Sequence, residues 1–151
     1  MIEMISKCDE KVAKQLEEIE NDIFKTAWPS ETINQKINSK EFKYWTFKED
    51  EKIVAYLGIQ FINDFIEILG IGVIEEFRNR GIAKQLMNEL IDYFDKSTYL
   101  KILLEVRESN STAKNLYTNL GFTKISKRKN YYKNEDADIC LLYTSPSPRD
   151  H

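Results

Sequence analysis

Residues 65–94 read FIEILGIGVIEEFRNRGIAKQLMNELIDYF, and the spacing of the apolar residues changes within this segment. Phe65–Val73 is rich in β-branched and aromatic residues, which is typical of a strand. The segment from Gly81 onward has apolar residues at helical spacing, namely Ile82, Leu86, Met87, Leu90, Ile91 and Phe94. The segment therefore predicts a strand, a connection that contains glycine, and an amphipathic helix.

Two helices and three strands are predicted before this segment. Residues 1–6 alternate weakly as a strand, and a first helix follows behind Asp9, whose side chain can cap it. A shorter second helix is expected with Ser30 as its cap. Strands are then indicated at residues 42–47 and 53–60. With the strand of the opening segment, these two predict an antiparallel meander.

The chain after residue 94 contains three more strands and one more helix. Apolar residues alternate from Leu100 to Val106, which predicts a strand with one apolar face. The helix that follows has Asn110 or Ser111 as its cap and Gly121 as its stop. Two last strands are expected at residues 122–131 and 139–143. This order predicts an α/β fold, with a mixed, mostly antiparallel sheet of about seven strands flanked by about four helices.

The composition excludes several classes of function. The only histidine is His151, and the two cysteines, Cys8 and Cys140, stand at opposite ends of the chain, so a histidine-based triad and a clustered zinc site are excluded. No apolar stretch approaches the ~20 residues that cross a bilayer. A net charge of −3 gives no general attraction to nucleic acid. We therefore expect a cytoplasmic protein that binds neither membranes nor nucleic acid directly.

We expect one domain, at residues 1–143, because 151 residues correspond to one ordinary domain. The remaining residues, 144–151, read TSPSPRDH and contain no apolar residue and two of the three prolines. Such a segment cannot bury enough surface to order itself. It is predicted to be a disordered tail or an extension introduced by cloning.

Residues 78–84, RNRGIAK, place three cations and no acid at the predicted start of the helix. A helix start offers unpaired N–H groups and a positive dipole end, and Gly81 lets a ligand approach the backbone. This arrangement would suit a diphosphate group. The alternative is a solvated basic turn whose glycine serves only the chain reversal. The segment lacks the endings of a Walker loop and of a dinucleotide-binding fingerprint.

The sequence resembles the GNAT N-acetyltransferases in this loop, because Arg78, Gly81 and Ala83 match the family pattern Q/R-x-x-G-x-G/A. The resemblance continues at residues 104–110, LEVRESN, and covers nearly the whole chain to about Leu142. Further matching residues are Ala113, Leu116, Tyr117, Gly121, Phe122, Asn130, Tyr131 and Tyr132. The combination is similar to the bacterial branch that acetylates the N-terminal alanine of a small-subunit ribosomal protein.

Two short segments depart from the family pattern. Residues 74–76, IEE, replace the usual aspartate-proline turn before the loop, and residues 28–30, WPS, invert the more common proline-tryptophan order. The first departure leaves the loop intact. The second affects substrate recognition.

The resemblance implies that acetyl-CoA is the cosubstrate and that no metal is needed. It assigns acetyl-CoA contacts to Ile71, Gly72, Val73, Arg78, Asn79, Arg80, Gly81, Ile82, Ala83, Lys84 and Asn110. Glycines in a strand are tolerated where another chain approaches closely, and packing under a helix is the alternative at residues 70–72. Trp28, Tyr131 and Tyr132 are expected to line a groove for the end of a protein chain.

The resemblance further implies that Glu105 is the general base and Tyr117 the general acid. A carboxylate and a phenol can take the proton of an attacking amine and protonate a departing thiolate. An α-amine is roughly 10% neutral at pH 7, and a lysine side chain is below about 0.1% neutral, so an N-terminal amine is favoured as the substrate. We expect direct attack in a ternary complex, with a strand N–H near Val73 polarising the thioester oxygen.

Other readings stay open at this point. Viewed singly, Glu105 could be a solvated residue at a strand end, and Tyr117 could be a core residue with a wet hydroxyl. The enzyme could acetylate a small amine or a lysine. The chain could also be a catalytically silent domain that binds CoA and mediates interactions. The sequence does not specify the physiological target or the oligomeric state.

Overall fold

The computed structural model describes residues 1–5, 7–24, 29–132 and 135–143, with residues 22–24 and 130–132 described by their backbone alone. Four α-helices occur in these ranges: α1 (Glu10–Phe24), α2 (Ser30–Asn38), α3 (Ile82–Asp95) and α4 (Ser111–Asn119). The seven strands are β1 (Ile2–Ile5), β2 (Phe42–Glu49), β3 (Lys52–Ile62), β4 (Phe65–Val73), β5 (Lys101–Arg107), β6 (Thr123–Tyr132) and β7 (Glu135–Tyr143). A short 3₁₀ turn follows β4 at Glu75–Phe77.

The strands form one sheet with the hydrogen-bonded order β1-β2-β3-β4-β5-β7-β6. The pairs β1/β2, β2/β3, β5/β7 and β6/β7 are antiparallel, and β4 pairs with β5 in parallel. The predicted fold class is therefore confirmed: a mixed, mostly antiparallel sheet with four helices. The parallel pair follows from the connection between β4 and β5, because parallel neighbours need a long crossover and α3 supplies it.

The chain divides into two compact units. The first contains residues 1–61 and 69–93, and the second contains residues 62–68 and the chain from residue 94 onward. Strand β4 contributes to both, since its first half pairs with β5 and its second half belongs to the first unit. The single domain at residues 1–143 stays a prediction. The predicted tail, residues 144–151, lies outside the described residues.

The core of the first unit is formed by the apolar faces of α1 and α2 against the early strands. Leu16, Ile33 and Ile37 from the helices and Tyr44 and Tyr56 from the sheet are fully or almost fully buried there. Asp9 caps α1 as predicted, because its Oδ1 accepts a hydrogen bond of 2.9 Å from the N–H of Val12.

One predicted cap in this unit is wrong. Pro29 occupies the N-cap position of α2, and Ser30 is the first helical residue. The backbone N–H of Ser30 instead donates to Oε2 of Glu17 at 3.1 Å. A carboxylate from α1 therefore satisfies a donor at the start of α2, where a serine side chain was expected to act.

The core of the second unit lies on one face of β5. Ile102, Leu104 and Val106 are buried there as predicted, and Ile66 of β4 joins them. The prediction that Leu100 lies on the apolar face of this strand is wrong, because Leu100 precedes the strand and is 50% exposed. Its N–H donates to the carbonyl of Asp64 at 2.8 Å, so Leu100 belongs to the turn that leads into β5.

Helix α4 begins and ends as the sequence predicts. Asn110 is its N-cap, and its side-chain oxygen accepts a 3.1 Å hydrogen bond from the N–H of Ala113. Gly121 follows the helix with φ of 101°, a backbone conformation that glycine adopts without strain. No helix in the described ranges has the length and apolar character needed to cross a membrane.

Candidate active site

The second half of β4 supplies half-buried backbone at Ile71, Gly72 and Val73. The strand is supported at Gly70, where an added Cβ would lie 3.0 Å from the hydroxyl of Tyr56. Tyr56 is itself fully buried and belongs to the neighbouring strand β3. The close approach of a tyrosine hydroxyl therefore explains the glycine at position 70. The role of Ile71, Gly72 and Val73 as cofactor contacts stays a prediction.

The segment that connects β4 to α3, residues 74–81, is fastened to the strand by an arginine. Nε of Arg78 donates a 2.9 Å hydrogen bond to the carbonyl of Val73. Arg80 donates from Nη2 to the carbonyl of Glu76 at 3.2 Å, and its guanidinium lies 4.7 Å from the ring centroid of Phe77. Both arginines therefore order the loop internally while remaining exposed.

The start of α3 has the conformation that an anion site requires. Gly81 has φ of 76° and Asn79 has φ of 65°, so two left-handed residues lie just before the helix. An added Cβ on Gly81 would meet nothing within 4 Å, and no acidic residue occurs in the first turn of α3. Unpaired N–H groups at a helix start attract anions, so these residues fit the diphosphate of CoA.

The remaining loop residues differ in what their side chains offer. Ile82 is buried, and Ala83 is half-buried. Both residues lie in the first turn of α3, where backbone N–H groups have no intrahelical partners and can bind a ligand. Lys84 is exposed and carries a third positive charge of the segment. The predicted cofactor contacts on this side thus all belong to the first unit.

Glu105 lies near the end of β5 in the second unit. Its side chain is 13% exposed, and its Oε1 is 3.1 Å from Nη2 of Arg128 on β6. Its other oxygen, Oε2, is buried and has no hydrogen-bond partner among the residues that the structure describes. A carboxylate oxygen without a hydrogen-bond partner keeps its lone pairs available for a proton.

Glu67 of β4 is a further carboxylate near Glu105. It is half-buried and pairs in register with Leu103, which precedes Glu105 by two residues on the same strand. Burial raises the pKa of Glu67 above its usual value, and the charge of Glu105 raises it further, while Arg128 only partly offsets both. The second unit therefore holds two interacting carboxylates and one arginine.

Tyr117 and Asn110 both lie on α4 or at its start. Tyr117 is 6% exposed, and its ring packs against Phe122 with centroids 5.8 Å apart. Asn110 uses its side-chain oxygen to cap the helix, so the amide group of the same side chain is the part that could bind a ligand. The catalytic and cofactor roles assigned to these two residues stay predictions.

The predicted substrate groove is only partly described. Trp28 lies outside the described residues, and Tyr131 and Tyr132 are described by their backbone in β6 alone. Their substrate-binding role therefore stays a prediction. No group of three or more histidine, cysteine, aspartate or glutamate side chains that could hold a metal ion occurs in the described part of the chain.

Sequence reasoning missed Glu67 and Arg128. Glu67 interrupts the apolar run of Phe65–Val73, which is a signal that could have singled it out, because a carboxylate inside an apolar strand is costly to bury. Arg128 lies among several lysines and has no comparable signal. Its place beside Glu105 depends on how β6 pairs with β7, which residue spacing alone does not reveal.

Comparisons with known proteins show which family the chain is similar to. Residues 13–122 match the model of the Acetyltransferase (GNAT) family. The [ribosomal protein bS18]-alanine N-acetyltransferase of Haemophilus ducreyi is 33% identical over 147 residues, which cover 93% of this chain and 99% of that protein.

Solved structures extend the comparison. The crystal structure of the ribosomal-protein-S18-alanine N-acetyltransferase from Escherichia coli superposes with a TM-score of 0.82 at 27% identity, covering 96% of this chain and 95% of that one. Arabidopsis thaliana NAA60 in complex with acetyl-CoA shares the fold, with a TM-score of 0.79 at 20% identity and coverage of 95% and 99%. The family match spans well over half of the residues, and the Haemophilus relative aligns over almost all of them. The chain therefore belongs to the acetyltransferase (GNAT) family.

Proposed function

We propose that this protein transfers the acetyl group of acetyl-CoA to the N-terminal α-amine of a protein, namely the N-terminal alanine of a small-subunit ribosomal protein. The observation that carries the chemistry is Glu105, a mostly buried carboxylate with one oxygen beside Arg128 and the other without a partner in the described part of the chain. The substrate is inferred from the full-length relative in Haemophilus ducreyi, which is a [ribosomal protein bS18]-alanine N-acetyltransferase.

The segment from β4 to the start of α3 would hold the cosubstrate. The backbone N–H groups at the start of α3, with Arg80 and Lys84, would bind its diphosphate, and residues 71–73 of β4 would pair with its extended arm. Acetyl-CoA supplies an acetyl group activated as a thioester. The N–H near Val73 would donate a hydrogen bond to the thioester oxygen and stabilise the charge that develops there.

Two side chains, Glu105 and Tyr117, would move the protons. Glu105 takes the proton that the α-amine must lose as its nitrogen bonds to the acetyl carbon. Tyr117 gives its phenolic proton to the sulfur that departs when the carbon–sulfur bond breaks. Glu105 then releases its proton to solvent and Tyr117 takes one up from solvent, so the net proton transfer is from the amine to the thiol. Glu105 needs only modest basicity, because about 10% of an α-amine is already neutral at pH 7.

Specificity for a protein end would come from residues beside the reacting amine. We propose that Trp28, Tyr131 and Tyr132 line the groove that holds the first residues of the substrate. Aromatic side chains supply large contact areas at low cost in conformational entropy, which suits recognition of a short extended segment.

The test is acetylation of peptides that differ only in their first residue. The panel begins with the N-terminus of the ribosomal protein and includes variants with serine, glycine, methionine and leucine in place of alanine. Mass spectrometry is expected to show one acetyl group on the α-amine, with the highest kcat/KM for alanine. An otherwise identical peptide with a blocked α-amine and a free lysine is the control and should remain unmodified.

Three outcomes would contradict the proposal. Acetylation of the blocked peptide on lysine would favour a lysine acetyltransferase, and turnover of small amines alone would favour a small-molecule enzyme. CoA binding without turnover of any amine would favour a catalytically silent domain. Mass spectrometry of the reaction mixtures locates the acetyl group. Calorimetry measures CoA binding in a separate titration.

A further inference from the structure

Glu67 and Glu105 lie on the same face of two neighbouring parallel strands. The register pairs Glu67 of β4 with Leu103 of β5, and side chains alternate between faces along a strand. Leu103 and Glu105 therefore point to the same side of the sheet as Glu67. The two carboxylates occupy diagonal positions on adjacent strands, which places them within reach of each other's electric field.

The other charges that face Glu105 come from two elements. Arg128 of β6 is 3.1 Å from Oε1 of Glu105. On β5 itself, Arg107 shares the face but is paired with Glu135 at 3.7 Å. Strand β7 contributes no charge at this point, because the residue opposite Glu105 is Ile139.

The next residues on the same face of β7 and at the start of β5 add no charge in contact with Glu105. Ala137 and Leu141, which flank Ile139 on that side of β7, are apolar and buried. Lys101 begins β5 and lies 5.4 Å from the ring centroid of Phe65. Two charges beside Glu105 therefore oppose each other: Glu67 is negative, and Arg128 is positive and in direct contact.

We propose that Glu67 is a positioning residue that acts through Glu105, and that the opposed charges of Glu67 and Arg128 set how readily Glu105 accepts a proton from the substrate amine. The inference rests on the proposed role of Glu105 as general base. A neighbouring negative charge favours the protonated form of a carboxyl, and a neighbouring positive charge disfavours it. Consistently, the same three side chains interact in the shift of the Glu67 pKa, which burial and Glu105 raise and Arg128 lowers.

Removal of each neighbouring charge should therefore change the proton affinity of Glu105 in opposite directions. Glu67→Gln removes the negative charge and should make Glu105 accept a proton less readily. Arg128→Gln removes the positive charge and should make Glu105 accept a proton more readily. Glu67→Asp keeps the charge and should remain close to the unaltered protein. Glu89→Gln makes the same chemical change at an exposed position of α3 and should have no effect.

The experiment combines a direct titration with a rate profile. Carbon-13 NMR of protein labelled at glutamate carboxyls gives the pKa of Glu105, whose signal is identified by its loss in Glu105→Gln. The pH dependence of kcat/KM for an alanine peptide is measured on the same variants. Below the break at about pH 8 that the substrate amine itself causes, the acidic limb should move down in Glu67→Gln and up in Arg128→Gln. The kcat of Glu67→Gln should fall about 3- to 10-fold because the base is weaker.

The outcomes separate this inference from the proposed function. If the Glu105 signal keeps its pKa in both Glu67→Gln and Arg128→Gln, the inference is overturned, whatever the activity of Glu105→Gln. If Glu105→Gln is fully active, the proposed base is wrong. Opposed shifts of the Glu105 signal in Glu67→Gln and Arg128→Gln would then still support the charge coupling. If Glu67→Gln does not fold, Glu67→Leu removes the same charge with an apolar side chain that suits the strand, and an unchanged titration of the Glu105 signal in that variant overturns the inference.

Discussion

Lys114 of α4 reaches a buried carboxylate on β7, with 3.2 Å between its Nζ and Oδ2 of Asp138. Lys124 of β6 approaches the other oxygen at 3.3 Å, and the Asp138 side chain is only 2% exposed. Burial acts to raise the pKa of Asp138, but the attraction of the two lysines outweighs it, so the pKa lies below its usual value. This carboxylate therefore fastens the helix that carries Tyr117 to the sheet.

Replacing Asp138 by asparagine should destabilise the protein in a pH-dependent way. A lowered pKa means that the ionised carboxylate stabilises the folded state above the unfolded pKa, about 3.9, and that this contribution is lost as pH falls below it. We expect Asp138→Asn to reduce the free energy of unfolding by about 1.5 to 3 kcal/mol at pH 7. The difference between the two proteins should shrink below about pH 4.

Urea denaturation at several pH values measures the effect of Asp138→Asn. Glu89→Gln removes one exposed carboxylate and serves as the control, for which a change within about 0.5 kcal/mol is expected. A difference between Asp138→Asn and the unaltered protein that grows toward acid pH would contradict the lowered pKa.

Reversing the charge of Arg80 should weaken binding of acetyl-CoA. The side chain stabilises the loop through the carbonyl of Glu76 and adds positive charge beside the start of α3. We expect Arg80→Glu to lower the affinity for acetyl-CoA about 10-fold or more, and added salt to weaken binding by the unaltered protein. Calorimetry measures both effects. Lys11→Glu makes the same charge change at an exposed position of α1 and should leave the affinity unchanged. Equal losses of affinity in both variants would mean that net charge alone is responsible.

Removing the carboxylate of Glu105 should abolish most turnover. Glu105→Gln keeps the shape of the side chain but cannot accept the proton, so kcat should fall about 10²- to 10⁴-fold while acetyl-CoA affinity stays nearly constant. The loss should lessen at high pH, where more of the substrate amine is already neutral. Stopped assays from pH 6 to 10 measure this, and a near-normal rate at pH 7 would remove Glu105 from the mechanism.

Tyr117→Phe separates catalysis from packing at this position. The ring and its contact with Phe122 are kept, so the melting temperature should change little. If the phenol protonates the departing thiolate, kcat should fall about 10-fold or more. The thiol of CoA is about as acidic as a free cysteine, so water can partly replace the phenol and the loss should be smaller than in Glu105→Gln. Full activity in the folded variant would leave Tyr117 with a packing role.

Most of the fold could be predicted from the sequence because it depends on local spacing. The alternation that buries Ile102, Leu104 and Val106 and the helical stripe of α3 are both visible in short windows. The cap at Asn110 and the stop at Gly121 follow from local backbone chemistry in the same way. The Ser30 cap was wrong because the donor at the start of α2 is satisfied by Glu17, which lies on another helix.

The surroundings of the candidate site depend on register and could not be predicted. Glu67 comes near Glu105 only through the pairing of β4 with β5, and Arg128 only through the pairing of β6 with β7. Each pairing joins segments that are distant in sequence, and a slip of one residue would turn these side chains to the opposite face. Single-residue spacing contains no information about such a register.

The empty space around Gly81 means that handedness, and not contact with neighbouring protein atoms, restricts this position. An added Cβ meets nothing within 4 Å, yet the φ of 76° is one that L-residues adopt at a cost of about 1 to 2 kcal/mol. A steric conflict can be relieved by trimming a neighbour, but a torsional preference belongs to the residue itself. A second substitution that only makes room cannot therefore restore the loop after glycine is lost. Suppressor mutations would have to reshape the turn or strengthen ligand binding elsewhere.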